Sequence, residues 1–378
     1  MATLPTTMKE AHISAETTVS IHDVPIPVLT HPHSLLVKVA ATSCNPKDWK
    51  MAASNLMTIR SCPNSGDDIA GTVVSVGPSV LSFKPGDRVA ALHELGTPHG
   101  SYAEYAVVYE WTTFHLDDKM PFEEACTVPM ATYMGVIGLC GMLRVKTGPW
   151  DVAEMQTRKG QGAEKLLLVY GASSAVGAAV IKLAGIMGVH PLICVVGRGG
   201  AFVESLIDRS KGDVSIDYRQ GPEKVVEEVK KVLGGRKLEF VFDGISEKAS
   251  HENYWRAMDL ETGRVTFVLG GHREDIPEGI EQSTTMVGSL WKELQPLGKK
   301  DRLGMGVGGK DFGFAYSRLI GSWLQEGKLN IHPFEVVEGG LAGLEKALKT
   351  LREGKSSATK FVIRIAETPN LKRRHSGV

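Results

Sequence analysis

One stretch near the middle of the chain constrains the fold more than any other. Residues 165–182 read KLLLVYGASSAVGAAVIK, an apolar run followed by a turn of small residues and then a helical pattern. An unbroken apolar run of this kind is typical of a strand buried on both faces of a parallel sheet. At such a turn, backbone N–H groups and the positive end of the helix dipole converge on a pyrophosphate. The turn is not a complete G-x-G-x-x-G, so a tight turn without a ligand is the alternative.

The composition excludes several classes of protein. The chain has 378 residues, with 43 basic residues balancing 43 acidic ones, so it presents no charged footprint for nucleic acid or an acidic membrane. We find no apolar run of about 18 residues, the length that a membrane span needs, and no signal peptide. Five scattered cysteines without a C-x-x-C pair are typical of reduced thiols. These features predict a soluble, cytoplasmic α/β protein.

The pattern of secondary structure changes near residue 130. Short strands at roughly ten-residue spacing before that point indicate a barrel-like domain. Apolar strands then alternate with helices, which indicates a doubly wound parallel sheet. The predicted strands of this sheet are residues 166–170, 192–196, 214–218, 240–243 and 264–271, and residues 132–143 are predicted to form one long helix.

Several motifs in this order resemble the medium-chain dehydrogenase/reductase superfamily. They lie at residues 45–48 (NPKD), 66–73 (GDDIAGTV), 84–89 (KPGDRV), 100–105 (GSYAEY) and in the strand–turn–helix. A polar connector at 145–164 and the stretch 217–219 make the chain most similar to the fungal trans-acting enoyl reductases of polyketide biosynthesis. The resemblance implies a GroES-like β-barrel catalytic domain (1–130 and 316–378) with an inserted Rossmann domain (131–315).

The zinc-binding positions of this superfamily do not hold zinc ligands in this chain. By resemblance, the cysteine position falls on Asn45, and the Gly-His-Glu stretch reads Gly66-Asp67-Asp68. Zinc needs thiolate or imidazole ligands at close range, and the lone Cys44 does not supply them. The sequence therefore predicts a protein that works without a metal.

The end of the second Rossmann strand bears on the choice of cofactor. An NAD-binding domain usually places Asp or Glu there to bind the ribose 2′-OH, whereas this strand leads into Gly197, Arg198 and Gly199. Arg198 would pair with a 2′-phosphate that a carboxylate would repel, although an exposed loop arginine is the alternative. By resemblance, Tyr218 packs near that phosphate, and together these features predict NADPH. The other predicted cofactor-binding residues are Asn45, Pro46, Lys47, Asp48, Ser173, Ser174, Ala175, Val176, Leu269, Gly270, Phe361 and Val362.

Two side chains are candidates for the chemistry. Lys50 matches, by resemblance, a lysine that lines the active site of the lovastatin-type enzymes, and a solvated surface lysine is the alternative. Tyr133 is a candidate proton donor, since phenols serve as general acids, and a buried helix tyrosine is the alternative. Related enzymes carry Thr or Ser where the register places Met134, which weakens any hydroxyl relay. The predicted substrate-binding residues are Ala131, Thr132, Met134 and Gly135.

These features favour reduction of a conjugated double bond. Without a metal, reduction of a carbonyl loses its Lewis acid. The leading interpretation is an NADPH-dependent enoyl reductase acting on an acyl or polyketide thioester, either free or bound to a carrier protein. A polyketide synthase is the expected partner, and the protein is expected to be a monomer or homodimer. A zinc-free quinone or enone reductase and a non-catalytic NADPH-binding protein are the alternatives.

Overall fold

The computed structural model describes residues 4–54, 62–145, 165–247, 249–292 and 309–371. Most of the predicted connector, residues 146–164, lies outside these ranges. The chain divides into two compact units, in which unit 1 contains Met1–Met130, Gly313–Gln325 and Ile331–Val378, and unit 2 contains Ala131–Phe312 and Glu326–Asn330.

The strands and helices are numbered in chain order. The strands are β1 Thr7–Ile13, β2 Val19–Pro25, β3 Ser34–Ser43, β4 Asp68–Val76, β5 Arg88–Leu92, β6 Tyr105–Tyr109, β7 Thr113–His115, β8 Leu167–Tyr170, β9 Leu192–Val196, β10 Val214–Asp217, β11 Phe240–Asp243, β12 Arg264–Phe267, β13 Glu281–Thr284, β14 Phe334–Val337 and β15 Lys360–Arg364. The helices are α1 Pro46–Ala52, α2 Phe122–Ala125, α3 Pro129–Val136, α4 Ala175–Ile186, α5 Gly200–Glu204, α6 Pro222–Leu233, α7 Gly309–Gln325 and α8 Leu344–Arg352.

Unit 1 is built around the long strand β3. This strand belongs to a seven-stranded sheet, in which six strands lie in the order β14-β15-β3-β4-β5-β7 and the seventh, β6, also pairs with β3. Strands β1 and β2 form a separate hairpin. Leu35, Val37 and Val39 of β3 are buried in one core with Leu344 and Leu348 of α8. Only Cys44 and Asn45 separate the end of β3 from the start of α1, so the pairing of β3 fixes where that helix starts.

Unit 2 contains the predicted Rossmann sheet. Its six strands lie in the order β10-β9-β8-β11-β12-β13, and every pair is parallel. Strand β8, predicted as the central strand, has β9 on one side and β11 on the other. From β8, the chain adds β9 and β10 on one side of the sheet and β11, β12 and β13 on the other, and doubly wound folds bind their ligands at such a reversal of strand order. The predicted fold class is therefore confirmed.

The structure corrects the prediction for unit 2 in two places. The sixth strand, β13, has the polar sequence EQST and gives no apolar pattern from which to predict a strand. The predicted long helix 132–143 is instead α3 followed by a π-helix, Ile137–Met142. Gly138 in this π-helix packs so closely on β11 that an added Cβ would lie 2.2 Å from the Phe242 ring.

One helical stretch, Phe122–Met142, is long and apolar enough to cross a membrane by length and composition alone. The sequence reading missed it, since Glu123, Glu124 and Pro129 interrupt the apolar run. Within the structure, 94% of its most apolar window is buried, as expected for a core helix.

Candidate functional site

The strand–turn–helix of unit 2 has the geometry of an anion cradle. Strand β8 ends at Tyr170, the chain turns through Gly171, and α4 begins at Ala175. The Ser174 side chain caps the helix by accepting a 3.0 Å hydrogen bond from the Gly177 backbone N–H. The first N–H groups of a helix have no partner within the helix, so this end of α4 can bind an anion. The predicted residues Ser173, Ser174, Ala175 and Val176 all lie here and are half-buried.

Two glycines allow the cradle to close tightly. Gly171 has a φ of +73°, which favours glycine because a Cβ is strained there. A Cβ on Gly177 would lie only 2.3 Å from the Gly171 carbonyl oxygen, so a larger residue would push the helix away from the strand. The turn therefore fits the pyrophosphate of a dinucleotide, whose approach requires small residues.

The residues after β9 and β10 lie at the same edge of the sheet. Gly197 follows β9, and a Cβ there would lie 2.6 Å from the Tyr218 ring. The absence of a side chain therefore lets that ring lie against the backbone. Arg198 is exposed, and Tyr218 is 43% exposed. Asp217 at the end of β10 is engaged in an ion pair with Arg219 at 2.6 Å.

Sequence reasoning missed an aspartate that organises the neighbouring loop. Asp243 ends β11 and is fully buried. One oxygen accepts hydrogen bonds from the backbone N–H groups of Ile245 and Ser246, and the other accepts from the hydroxyls of Ser250 and Tyr254. In the sequence, the feature that could have indicated this role is a single acid directly after the apolar run FVF. Its four donors follow it in the chain and could not be identified from that run.

The loop after β12 is hydrogen-bonded to the loop after β11. Leu269 is half-buried and Gly270 is exposed in this loop. Arg273 donates a 2.8 Å hydrogen bond to the Ser246 carbonyl oxygen and a second bond to the Gly271 carbonyl. These bonds set the position of the predicted cofactor-binding residues Leu269 and Gly270.

In unit 1, Asn45 is buried within a hydrogen-bonded network. Its amide donates to Asp68 at 2.8 Å, and its carbonyl oxygen accepts from the Lys360 ammonium at 2.9 Å. The same ammonium lies 2.9 Å from Asp68. Phe361 and Val362 follow Lys360 on β15 and are buried. Sequence reasoning did not predict a role for Lys360.

Lys47 and Asp48, in the first turn of α1, belong to an ion cluster with Asp67. Burial alone would lower the pKa of Lys47, but the two carboxylates outweigh it and raise that pKa. Burial raises the pKa of Asp48, although Lys47 opposes it. The pKa of Asp67 is lowered, because Lys47 and His93 outweigh its burial. Tyr102 completes the cluster by donating a 2.5 Å hydrogen bond to Asp48.

These contacts do not fit a zinc ion. Asn45 is hydrogen-bonded to Asp68 and Lys360, and Asp67 is paired with Lys47. Over the residues that the structure describes, no group of three His, Cys, Asp or Glu side chains is arranged to hold a metal.

The candidate catalytic side chains differ in their surroundings. Lys50 lies on α1 and is half-buried, with its ammonium 5.5 Å from the Trp49 ring centre. Tyr133 lies on α3 and is fully buried. This burial agrees with the alternative interpretation, a buried helix tyrosine. The predicted substrate residues on α3 are also buried, namely Ala131, Thr132 and Met134. Gly135 packs on α4, where an added Cβ would lie 2.6 Å from Leu183.

Comparison with known proteins identifies the family. Residues 31–118 match the model of the alcohol dehydrogenase GroES-like domain. The trans-enoyl reductase fsr4 of Gibberella fujikuroi is 39% identical over 338 residues, which cover 89% of this chain and 93% of that protein. The chain belongs to the fungal trans-enoyl reductases. A second member, resD of Aspergillus sclerotiorum, is 30% identical over 354 residues, covering 91% of this chain and 96% of that protein.

Solved structures support the same fold for this trans-enoyl reductase. The CurK enoyl reductase aligns with a TM-score of 0.70 at 16% identity, covering 94% of this chain and 99% of that one. A quinone oxidoreductase of Pseudomonas syringae aligns with a TM-score of 0.69 at 21% identity, with the same coverage. The predicted superfamily is confirmed. Family membership makes the protein an oxidoreductase that uses a nicotinamide cofactor.

Proposed function

We propose that this trans-enoyl reductase uses NADPH to reduce the α,β double bond of an acyl or polyketide thioester in secondary-metabolite biosynthesis. The observation that carries the proposal is the 39% identity to a trans-enoyl reductase over 89% of the chain. The cradle at the start of α4 adds a place for the dinucleotide. Consumption of NADPH with a 2-enoyl thioester, compared with a quinone, tests the proposal against the quinone reductase alternative.

The reaction sets out what the side chains must do. Bound NADPH supplies a hydride, and its addition to the β-carbon moves negative charge onto the thioester oxygen as an enolate. That charge must be stabilised until the α-carbon is protonated. In this proposal the Lys50 ammonium stabilises the developing charge. The first turn of α4 binds the pyrophosphate, and Arg198 and Tyr218 bind the adenosine phosphate.

The proposed partner is a polyketide synthase whose carrier protein presents the acyl chain. A partner of this kind suits a reductase that acts in trans, as its relatives fsr4 and resD are named. We place the protein in the cytoplasm, and assign residues 1–130 and 316–378 to its catalytic domain and 131–315 to its cofactor domain.

The preference for NADPH is expected to depend on Arg198. We expect the wild type to bind NADPH at least about tenfold more tightly than NADH, because a charge-assisted hydrogen bond contributes about 1.5–3 kcal/mol. Arg198→Ala should remove most of this ratio. Fluorescence titration of both cofactors measures it, with Arg209→Ala as the control, because Arg209 is exposed and paired with Glu204 at 2.6 Å. Equal affinities in the wild type would rule out this role.

Activity is expected to be independent of metal. Asn45 and Asp67 are engaged with neighbouring protein groups, so removing metal ions should leave the reduction unchanged. The check is elemental analysis of active protein, with activity measured before and after dialysis against a chelator. Stoichiometric zinc in the active protein, or a loss of activity that zinc restores, would contradict the prediction.

A further inference from the structure

A buried ion pair of unit 1 holds the side-chain amide of Asn45. The ammonium of Lys360, at the start of β15, lies 2.9 Å from Asp68 and donates to the Asn45 carbonyl oxygen at 2.9 Å. The Asn45 amide nitrogen donates at 2.8 Å to the same Asp68 oxygen that the ammonium contacts. The exposed fraction is 0% for Asp68, 3% for Lys360 and 6% for Asn45. A cation, a carboxylate and an amide thus form a closed triangle of buried groups.

The backbone and two further hydrogen bonds hold this triangle in place. Strand β15 pairs antiparallel with β3, which brings Lys360 beside Asn45, two residues beyond the end of β3. The Asp68 oxygen in the triangle also accepts the Ser43 hydroxyl at 2.7 Å. Its other oxygen accepts the Met130 backbone N–H at 2.7 Å. The carboxylate therefore has bonding partners on both oxygens and cannot turn without losing them.

The two partners of Asn45 determine which way its amide faces. An ammonium only donates hydrogen bonds and a carboxylate only accepts them. The amide oxygen must therefore face Lys360 and the nitrogen must face Asp68, because the reversed amide would oppose like groups. An amide nitrogen carries two hydrogens, and the bond to Asp68 uses one. Over the residues that the structure describes, the Asn45 side chain donates no second hydrogen bond.

We propose that Lys360 is a positioning residue: together with Asp68 it fixes the Asn45 amide so that its second N–H donates to a carbonyl oxygen of a bound ligand. The proposal rests on the proposed function, which supplies two such oxygens, in the nicotinamide carboxamide and in the acyl thioester. The bond from Lys360 polarises the amide and strengthens its N–H as a donor. This N–H would orient the carboxamide in the first case and stabilise the enolate oxygen in the second.

Breaking the ion pair and neutralising it should differ in their effects on stability. Lys360→Met leaves a buried carboxylate without its cation, so we expect Tm to fall by about 5 °C or more. Lys360→Met/Asp68→Asn removes both charges and should recover most of this loss. The new amide at position 68 both donates and accepts, so it no longer selects one orientation of Asn45. We therefore expect kcat/KM for crotonyl pantetheine to stay at least about tenfold below wild type in both variants.

A matched control and the recovery of Tm separate positioning from a purely structural role. Lys38→Met makes the same change at an exposed lysine of β3, in the same sheet, and should match the wild type in Tm and in kcat/KM. If kcat/KM of Lys360→Met/Asp68→Asn returns together with its Tm, the ion pair only stabilises the fold and the proposal is overturned.

Nuclear magnetic resonance of the wild type tests the donor without turnover, and it stands even if Lys360→Met does not fold. With ¹⁵N in the asparagine side chains, Asn45 gives two amide hydrogen signals, assigned by their loss in Asn45→Ser. Binding of NADPH, or of the unreactive butyryl pantetheine to the NADPH complex, should move one of them downfield. The ligand that causes the shift is the one whose carbonyl accepts the bond.

The two proposals fail in different ways. Asn45 signals that ignore both ligands, in a wild type that reduces enoyl thioesters, would overturn the role of Asn45 and Lys360 alone. A wild type that shows the downfield shift but reduces no enoyl thioester would refute the proposed function and leave the hydrogen bond from Asn45 standing.

Discussion

Replacing Ala175 with tryptophan is expected to abolish NADPH binding and leave the protein folded. Ala175 is the first residue of α4 and is half-buried at the turn. An indole there would occupy the space over the helix N-terminus into which the pyrophosphate must come. Because Ala175 is half-buried and is not among the buried core residues, we expect an unchanged circular dichroism spectrum. Fluorescence titration with NADPH should show no saturable binding.

A control substitution separates a local block from a general effect of tryptophan. Ala366 is exposed in unit 1, so Ala366→Trp adds the same bulk away from the cradle and should bind NADPH as the wild type does. Normal NADPH binding by Ala175→Trp would mean that the cofactor lies elsewhere. If Ala175→Trp loses the circular dichroism spectrum of the folded protein, the smaller change Ala175→Val replaces it. We expect Ala175→Val to lose part of its affinity for NADPH.

The second large effect is expected at Lys50. Lys50→Ala should lower kcat/KM for a 2-enoyl thioester by 10- to 100-fold, about 1.4–2.7 kcal/mol, because the developing enolate charge loses its cation. The affinity for NADPH should remain unchanged. Steady-state kinetics with crotonyl pantetheine measure the loss.

Tyr133→Phe is the matched comparison for the other candidate residue. The Tyr133 side chain is fully buried, so we expect this change to cost little in kcat/KM. If Tyr133→Phe lowers kcat/KM more than Lys50→Ala does, the main catalytic role belongs to Tyr133 and not to Lys50.

The sequence predicts those parts of the fold that local pattern determines. Strand β8 and its turn are recognisable since an apolar run and small residues follow one another directly. The edge strand β13 is not, because the polar sequence EQST becomes a strand only through its parallel pairing with β12. The π-helix is likewise set by tertiary contact, since Gly138 packs on Phe242.

The candidate site is less predictable because its contacts join distant parts of the chain. The bond between Lys360 and Asn45 spans 315 positions, and nothing near Lys360 in the sequence indicates it. The motif 45–48 indicates a functional turn by resemblance. It does not reveal that Lys47 would pair with Asp67, since that pairing depends on the folded position of the segment before β4.

The central claim is hydride transfer to a conjugated double bond, and isotope labelling tests it most directly. The protein is incubated with NADPH deuterated at C4, on either face in separate reactions, and with crotonyl and longer 2-enoyl pantetheine thioesters. We expect a saturated thioester with deuterium at the β-carbon from one of the two labelled cofactors. An alcohol product, or NADPH consumption with quinones alone, would contradict it.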